Sequence, residues 1–183
     1  MSAKAIGMIE FNSIARGIFV ADEMVKTSDV EIVTANSVCP GKYIAIVHGD
    51  VSSVETSVRR GLEISEEFLV DSLVIPNVHP GVFPAIVSAT MPERIQALGI
   101  LESYSQATMV VATDAVLKAA ELEAIELRLA TGLGGKAYFT FTGDVAAVKA
   151  GIEVGKEIIG KNGMLIDAEV IPSPSKRLIE TLY

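Results

Sequence analysis

The chain repeats itself, and that duplication limits its fold more than any other feature. Asn36-Ser37-Val38-Cys39-Pro40-Gly41-Lys42-Tyr43-Ile44-Ala45-Ile46-Val47-His48-Gly49-Asp50-Val51 is echoed by Thr131-Gly132-Leu133-Gly134-Gly135-Lys136-Ala137-Tyr138-Phe139-Thr140-Phe141-Thr142-Gly143-Asp144-Val145. In both copies Gly-Lys opens a short apolar run and Gly-Asp-Val closes it, which predicts a turn, a strand and a helix start. Upstream, Ala5-Ile6-Gly7-Met8-Ile9-Glu10 returns ninety-two positions later as Ala97-Leu98-Gly99-Ile100-Leu101-Glu102. Downstream, Val54, Gly61, Glu63 and Ile64 match Val148, Gly155, Glu157 and Ile158. Self-similarity on this scale marks two copies of one supersecondary unit. The chain's one cysteine, Cys39, lies in the first copy.

Each copy reads βαββαβ. The Ala5 and Ala97 runs are too short for helices and are expected as strands. Ser13 and Ser105 follow as candidate helix caps, with Ile14, Ile18, Phe19, Ala21, Met24 and Val25 at helical spacing in the first copy. Asp22 with Lys26, and Asp114 with Lys118, stand four apart and read as solvated helix pairs. Second strands begin at Val30 and Leu122, third strands follow the Gly-Lys turns, and Asp50 and Asp144 are natural N-caps for second helices. Val74-Ile75-Pro76 and Val170-Ile171-Pro172 end the fourth strands. The expected fold is α/β in the broad sense, of the α+β type: two tandem ferredoxin-like units, each a four-stranded antiparallel sheet with helices on one face. Residues 1–80 form the first, 81–96 a linker, and 97–183 the second, with a short helix expected over Ser175 to Leu182.

Composition narrows the partners. With 183 residues, half of them hydrophobic, the chain can bury one large core or two small ones, and two fit the repeat. A formal net charge of -8 and no basic run argue against a nucleic-acid or anionic-membrane surface, since both need clustered Lys and Arg. No apolar run reaches the length of a membrane span, and Met1-Ser2-Ala3-Lys4 leads into a strand pattern without a cleavable apolar region, so a cytoplasmic location is expected. No Ser/His/Asp set, metal-spaced cluster or carboxylate pair points to catalysis, and the chain is not expected to be an enzyme. Gly132-Leu133-Gly134-Gly135 lacks the Lys-Ser/Thr and following helix of a phosphate loop. His48 and His79 read as surface or satisfied residues.

The repeated strands, the helix end Val116-Leu117-Lys118-Ala119-Ala120, the Gly-Asp-Val helix starts and the Val-Ile-Pro strand ends together resemble the bacterial microcompartment (BMC) shell proteins, specifically their tandem-domain class. The resemblance covers essentially the whole chain. It implies a homotrimer that mimics a hexamer, assembly with other shell proteins, and a place in a microcompartment shell. The family's edge lysine falls on Lys26 and Lys118, while its common Pro-Arg-Pro-His ending is replaced by Pro76-Asn77-Val78-His79 and Pro172-Ser173-Pro174-Ser175. Ser37-Val38-Cys39-Pro40-Gly41-Lys42 is similar to the pore loop of the iron-sulfur shell proteins of propanediol-utilisation compartments. The resemblance therefore implies one [4Fe-4S] cluster per trimer, with Cys39 from each of three chains as ligand and Pro40, Gly41 and Lys42 around it. Gly132, Leu133, Gly134 and Gly135 become the second axial loop. The implied roles are electron transfer across the shell, or cluster delivery to an enclosed redox enzyme.

The chemistry of Cys39 is consistent with that implication without requiring it. A cubane cluster has a three-fold axis through one iron, so three symmetry-related thiolates match three of its irons. Pro40 stiffens the loop, and the Gly41 and Lys42 amides are candidates to hydrogen-bond cluster sulfurs. Three thiolates and a water also suit zinc, and a lone Cys is otherwise a free thiol or a small buried hydrophobe. A passive metabolite pore is the alternative function, and a ligand-sensing or catalytic ferredoxin-like domain is a third.

Overall fold

The computed structural model describes residues 5–90, 92–161 and 163–182; the expectation for Met1-Ser2-Ala3-Lys4 lies outside them. The first repeat runs β1 (Ala5–Phe11), α1 (Ile14–Thr27), β2 (Val30–Val38), β3 (Lys42–Gly49), α2 (Val51–Glu63) and β4 (Leu69–Pro76). Its strands pair antiparallel in the order β2-β3-β1-β4. β1 is central and buried at every position, which is why its run is apolar on both faces. α1 starts where Ser13 accepts the amide of Arg16, and α2 where Asp50 accepts that of Ser53, so each helix gains a bond for an otherwise orphaned donor.

The second repeat follows the same plan. After α3 (Val82–Ile86) come β5 (Ala97–Ser103), α4 (Gln106–Ala119), β6 (Glu123–Leu129), β7 (Ala137–Gly143), α5 (Val145–Lys161), β8 (Leu165–Ile171) and α6 (Lys176–Ile179). Its sheet order is β6-β7-β5-β8, again antiparallel. Ser105 caps α4 through the amide of Thr108, and Asp144 accepts the amide of Ala147 at the start of α5. Both repeats thus have the split ferredoxin-like fold with two helices packed on the sheet.

Helix and strand approach closely at matched glycines. A Cβ on Gly61 of α2 would stand 2.4 Å from Ile9 Cδ1, and one on Gly155 of α5 would stand 2.2 Å from Leu101 Cδ1. Real side chains do not fit there, so these glycines set the depth at which α2 and α5 lie on β1 and β5. In the second core Phe139 and Phe141 stack with ring centroids 5.1 Å apart.

Three details depart from the sequence reading. The stretch 81–96 contains α3, whose Val82 and Ala85 are buried and which packs on β6; this short apolar run around Pro84 folds locally because it has a surface to cover. The terminal helix is confined to Lys176–Ile179, capped by Ser175. Asp114 is not solvated: its side chain is only 10% exposed, because it receives the amide of His79 at 2.7 Å. By spatial clustering, one compact unit runs to Val78 and includes Ala130–Gly135, and the other comprises His79–Leu129 with the remainder from Lys136.

Candidate functional site

Cys39 lies at the tip of the β2–β3 hairpin. Val38 pairs with Lys42 across the ladder, so Cys39, Pro40 and Gly41 alone make the turn. The Cys39–Pro40 peptide bond is cis, and Gly41 adopts φ 78°, a left-handed conformation that side chains resist. A Cβ on Gly41 would meet nothing within 4 Å, so the tip is open on that side. Cys39 itself is half-buried. It is therefore neither a core residue nor a fully free one, and the buried-hydrophobe reading does not describe it.

Lys42 stands at the base of the turn. Its Nζ lies 2.9 Å from Oε1 of Glu10, which is 3% exposed. Lys136, its repeat counterpart, pairs with Glu102 at 2.6 Å, and the neighbouring carboxylate raises the Lys136 pKa through a hydrogen bond and Coulomb attraction. The expected role of Lys42 beside the thiol falls to its amide; its side chain is a brace between the loop base and β1. Glu10 was not singled out. The signal was present, since both repeats carry a Glu at the end of their first strand and a Lys after the turn.

The second glycine-rich loop belongs to the same compact unit as Cys39. Gly132, Gly134 and Gly135 all have positive φ, at 74°, 62° and 92°. A Cβ on Gly135 would come within 3.1 Å of Pro40 Cδ and 3.6 Å of the Cys39 carbonyl oxygen. Gly135 is thus brought directly against the cysteine turn, whereas the same construction at Gly132 and Gly134 meets nothing within 4 Å.

The two lysines expected at edges lie on α1 and α4. Lys26 is exposed and bonds Asp22 one turn back, and that carboxylate raises its pKa, first through the hydrogen bond and then by Coulomb attraction. Lys118 pairs with Asp114 at 2.7 Å. His79 is tied to α4 by its amide, and its Nδ1 accepts the amide of Gly81 at 3.1 Å. His48 faces Glu31 at 3.8 Å.

A second polar cluster escaped the sequence reading. On β6 and β7, Tyr138 donates its hydroxyl to Glu126, Arg128 donates Nε to the same carboxylate at 2.8 Å, and the Arg128 guanidinium lies 5.6 Å over the Tyr138 ring. Burial first, then the Glu126 carboxylate, pushes the Tyr138 phenol up to about 12. These residues line a cavity of about 410 Å³ with Thr140 and Thr181. Their groups satisfy one another, and nothing in the spacing of three residues on two strands reveals the set before the strands are paired.

One thiol per chain could complete a metal or cluster ligand set only together with donors from other chains. Among the described residues no set of three or more His, Cys, Asp or Glu side chains comes together to hold a metal within one chain. Cys39 therefore fits a cluster bound by several copies and does not fit one bound by a single copy.

The fold and this loop define a tandem shell-type domain pair, and comparison with known proteins agrees. The BMC domain family model matches residues 5–78 and again 97–174. The chain belongs to the BMC domain family and is a tandem-domain bacterial microcompartment shell protein. It is 36% identical over 176 residues to the bacterial microcompartment shell protein PduT of Citrobacter freundii, covering 96% of each chain. It is 31% identical over 195 residues to the carboxysome assembly protein CcmO of a Synechocystis strain, across 99% of this chain and 64% of that protein. A crystal structure of a microcompartment protein from Desulfitobacterium hafniense superposes with a TM-score of 0.93 at 43% identity, covering 98% of this chain and 99% of that one. Among the described residues no helix is long and apolar enough to cross a membrane.

Proposed function

We propose that three copies of this chain form a six-domain tile in a microcompartment shell, with the Cys39 turns around its three-fold axis, and that the three thiolates hold one [4Fe-4S] cluster there. The observation that carries this reading is the position of the chain's single cysteine: an open, three-residue hairpin tip in a duplicated shell domain. One donor per chain becomes a ligand set only by symmetry, and three is the number that a cubane presents around its axis. When bound, the cluster supplies one-electron transfer. The chain's own residues do the rest. Pro40 and Gly41 fix the turn, Lys42 braces its base through Glu10, and Gly135 backs it. An electron route across the shell, or delivery to an enclosed redox enzyme, are the uses this placement suggests. Other shell proteins are the lateral partners, and the structural role needs no catalytic residue.

The test compares native protein with Cys39→Ser after anaerobic reconstitution, by iron content, visible absorbance and sedimentation. The hydroxyl of Ser stays protonated and binds iron poorly beside a thiolate. The native trimer should hold about four irons per three chains, and the variant none at unchanged trimer mass. Native protein without iron would leave a passive metabolite pore as the function, and zinc in place of iron would change the assignment of the metal.

A further inference from the structure

The two sheets share a bulge but not the side chains beside it. In β2 and in β6 the pairing register shifts at one extra residue, Val33 and Ile125. Beyond it Thr34 pairs with Ile46 and Asn36 with Ile44 in the first repeat, and Glu126 with Thr140 and Arg128 with Tyr138 in the second. Strand residues alternate between faces, and Phe139 and Phe141 point to the helices, where Phe141 lies against Gly151 of α5. Tyr138 and Thr140 therefore lie on the other face. The first repeat fills the matching positions with Ile44 and Ile46, both buried. The second replaces a phenol and a hydroxyl for these, above a carboxylate and a guanidinium, an exchange that packing alone does not call for.

That face of the second sheet carries the cavity of about 410 Å³, a usual size for a small-molecule site. One wall is the chain leaving α3: Ser88 turns it with a φ of 53°, and Thr90 donates its hydroxyl to the carbonyl of Ile125, the bulged residue. Bulges of this kind recur beside binding sites. Another wall is the turn after α6, where Thr181 donates its hydroxyl to the Leu178 carbonyl at 2.7 Å and Leu182 adds an apolar surface. All of these residues belong to one compact unit.

The hydrogen bonds decide what such a cavity accepts. A hydroxyl has one proton and two lone pairs, and those of Thr90, Tyr138 and Thr181 spend their protons on Ile125, Glu126 and Leu178. Each is left as an acceptor. Arg128 turns Nε and Nη2 to Oε1 of Glu126, so the two charges cancel locally, while its guanidinium carries further N–H donors. An anion gains the guanidinium but meets hydroxyl lone pairs; an ammonium gains the lone pairs but meets the guanidinium. Groups that both donate and accept, without charge, suit both.

We propose that the cavity on β6 and β7 is a binding site for a small neutral polyol, held between the hydroxyl oxygens of Tyr138, Thr90 and Thr181 and the guanidinium of Arg128. Leu182 covers its carbon chain. The site is complete within one chain, so it requires neither the cluster nor the trimer.

Erythritol titrated into the deuterated full-length chain, read by amide NMR, tests the site. Saturable shifts in the millimolar range are expected at Glu126, Arg128 and Tyr138, with none at the matching Thr34, Asn36 and Ile44. Tyr138→Phe removes one acceptor and frees Glu126, and should weaken binding about tenfold; Thr181→Val, at an exposed position outside the sheet, should weaken it several-fold with the fold unchanged. Acetate and methylammonium should give no saturable shift in the same range. Absence of saturation with erythritol, or equal affinity in native protein and Thr181→Val, would overturn the site. Saturation by acetate or methylammonium at lower concentration than erythritol would overturn the polyol as its ligand.

Discussion

The ammonium of Lys42 braces the carboxylate of Glu10 at 2.9 Å, and Glu10 is almost wholly withdrawn from water. The pair joins the base of the cysteine turn to the central strand. Removing one partner leaves a buried charge unsatisfied, so Lys42→Met should cost about 3 kcal/mol. The double variant Lys42→Met with Glu10→Gln should recover part of that. The counterpart pair of Lys136 and Glu102 is open to solvent on both sides, with side chains 41% and 31% exposed, and Lys136→Met should move the urea midpoint much less. Equal midpoint shifts for the two lysines would contradict the difference in burial.

Tyr138 supplies a pH signature. Its phenol is raised in the folded state, to about 12 from an ordinary value of 10.0. The neutral form is the one the fold favours. Its contribution to stability is therefore complete below pH 10, and is lost as pH rises through about 12. An ultraviolet titration of native protein minus Tyr138→Phe should isolate one phenol titrating near the upper end of that window. A difference curve centred at the ordinary value would show that the hydroxyl is neither withdrawn from water nor held by Glu126.

The duplication made the fold legible. The repeated strands, the Ser and Asp caps and the Val-Ile-Pro ends fixed the element order, because each is a local signal carried twice. Cys39 was legible as a turn residue for the same reason, since the Gly41-Lys42 pair just beyond it recurs as Gly135-Lys136 in the second copy. What sequence could not supply were relations across strands. Glu126, Arg128 and Tyr138 meet only because β6 and β7 pair with a register shift between Ala124 and Glu126. The burial of Asp114 depends on where residues after β4 travel, and an Asp-Lys spacing of four looks the same whether or not a backbone amide arrives. The short α3 escaped because five residues with a proline at their centre carry no helical period to read.

The side chain of Asp114 is 10% exposed and that of Asp22 54%, a contrast that separates the two edge lysines. Lys118→Glu sets a second carboxylate beside the nearly buried Asp114 and should destabilise the fold by about 1 to 2 kcal/mol. Lys26→Glu faces an exposed partner and should leave the unfolding midpoint close to native. If both lysines also lie on rims between tiles, each reversal should weaken two-dimensional sheets seen by electron microscopy, since rim charges govern register and encounter more than core stability. Sheets unaffected by either variant would remove the lysines from the lateral contact.

Gly132, Gly134 and Gly135 share a left-handed backbone, yet only the last presses on the cysteine turn. Replacing each by Val in turn separates backbone strain from contact. All three variants should lose about 1 to 3 kcal/mol, the usual cost of forcing a branched side chain into positive φ. Gly135→Val alone also meets Pro40 Cδ at 3.1 Å and the Cys39 carbonyl oxygen at 3.6 Å, so it must shift the turn that carries the thiol. The readout is the rate at which a maleimide labels Cys39 in the folded, metal-free chain. Gly132→Val and Gly134→Val should label at the native rate, and Gly135→Val at a different one. The same variant should take up less iron on reconstitution if the thiol's position decides how three copies share a cluster. Labelling that is identical in all three variants would mean that the second loop rests beside the first without positioning it, and Cys39 would then owe its place to Pro40, Gly41 and the Lys42–Glu10 brace alone.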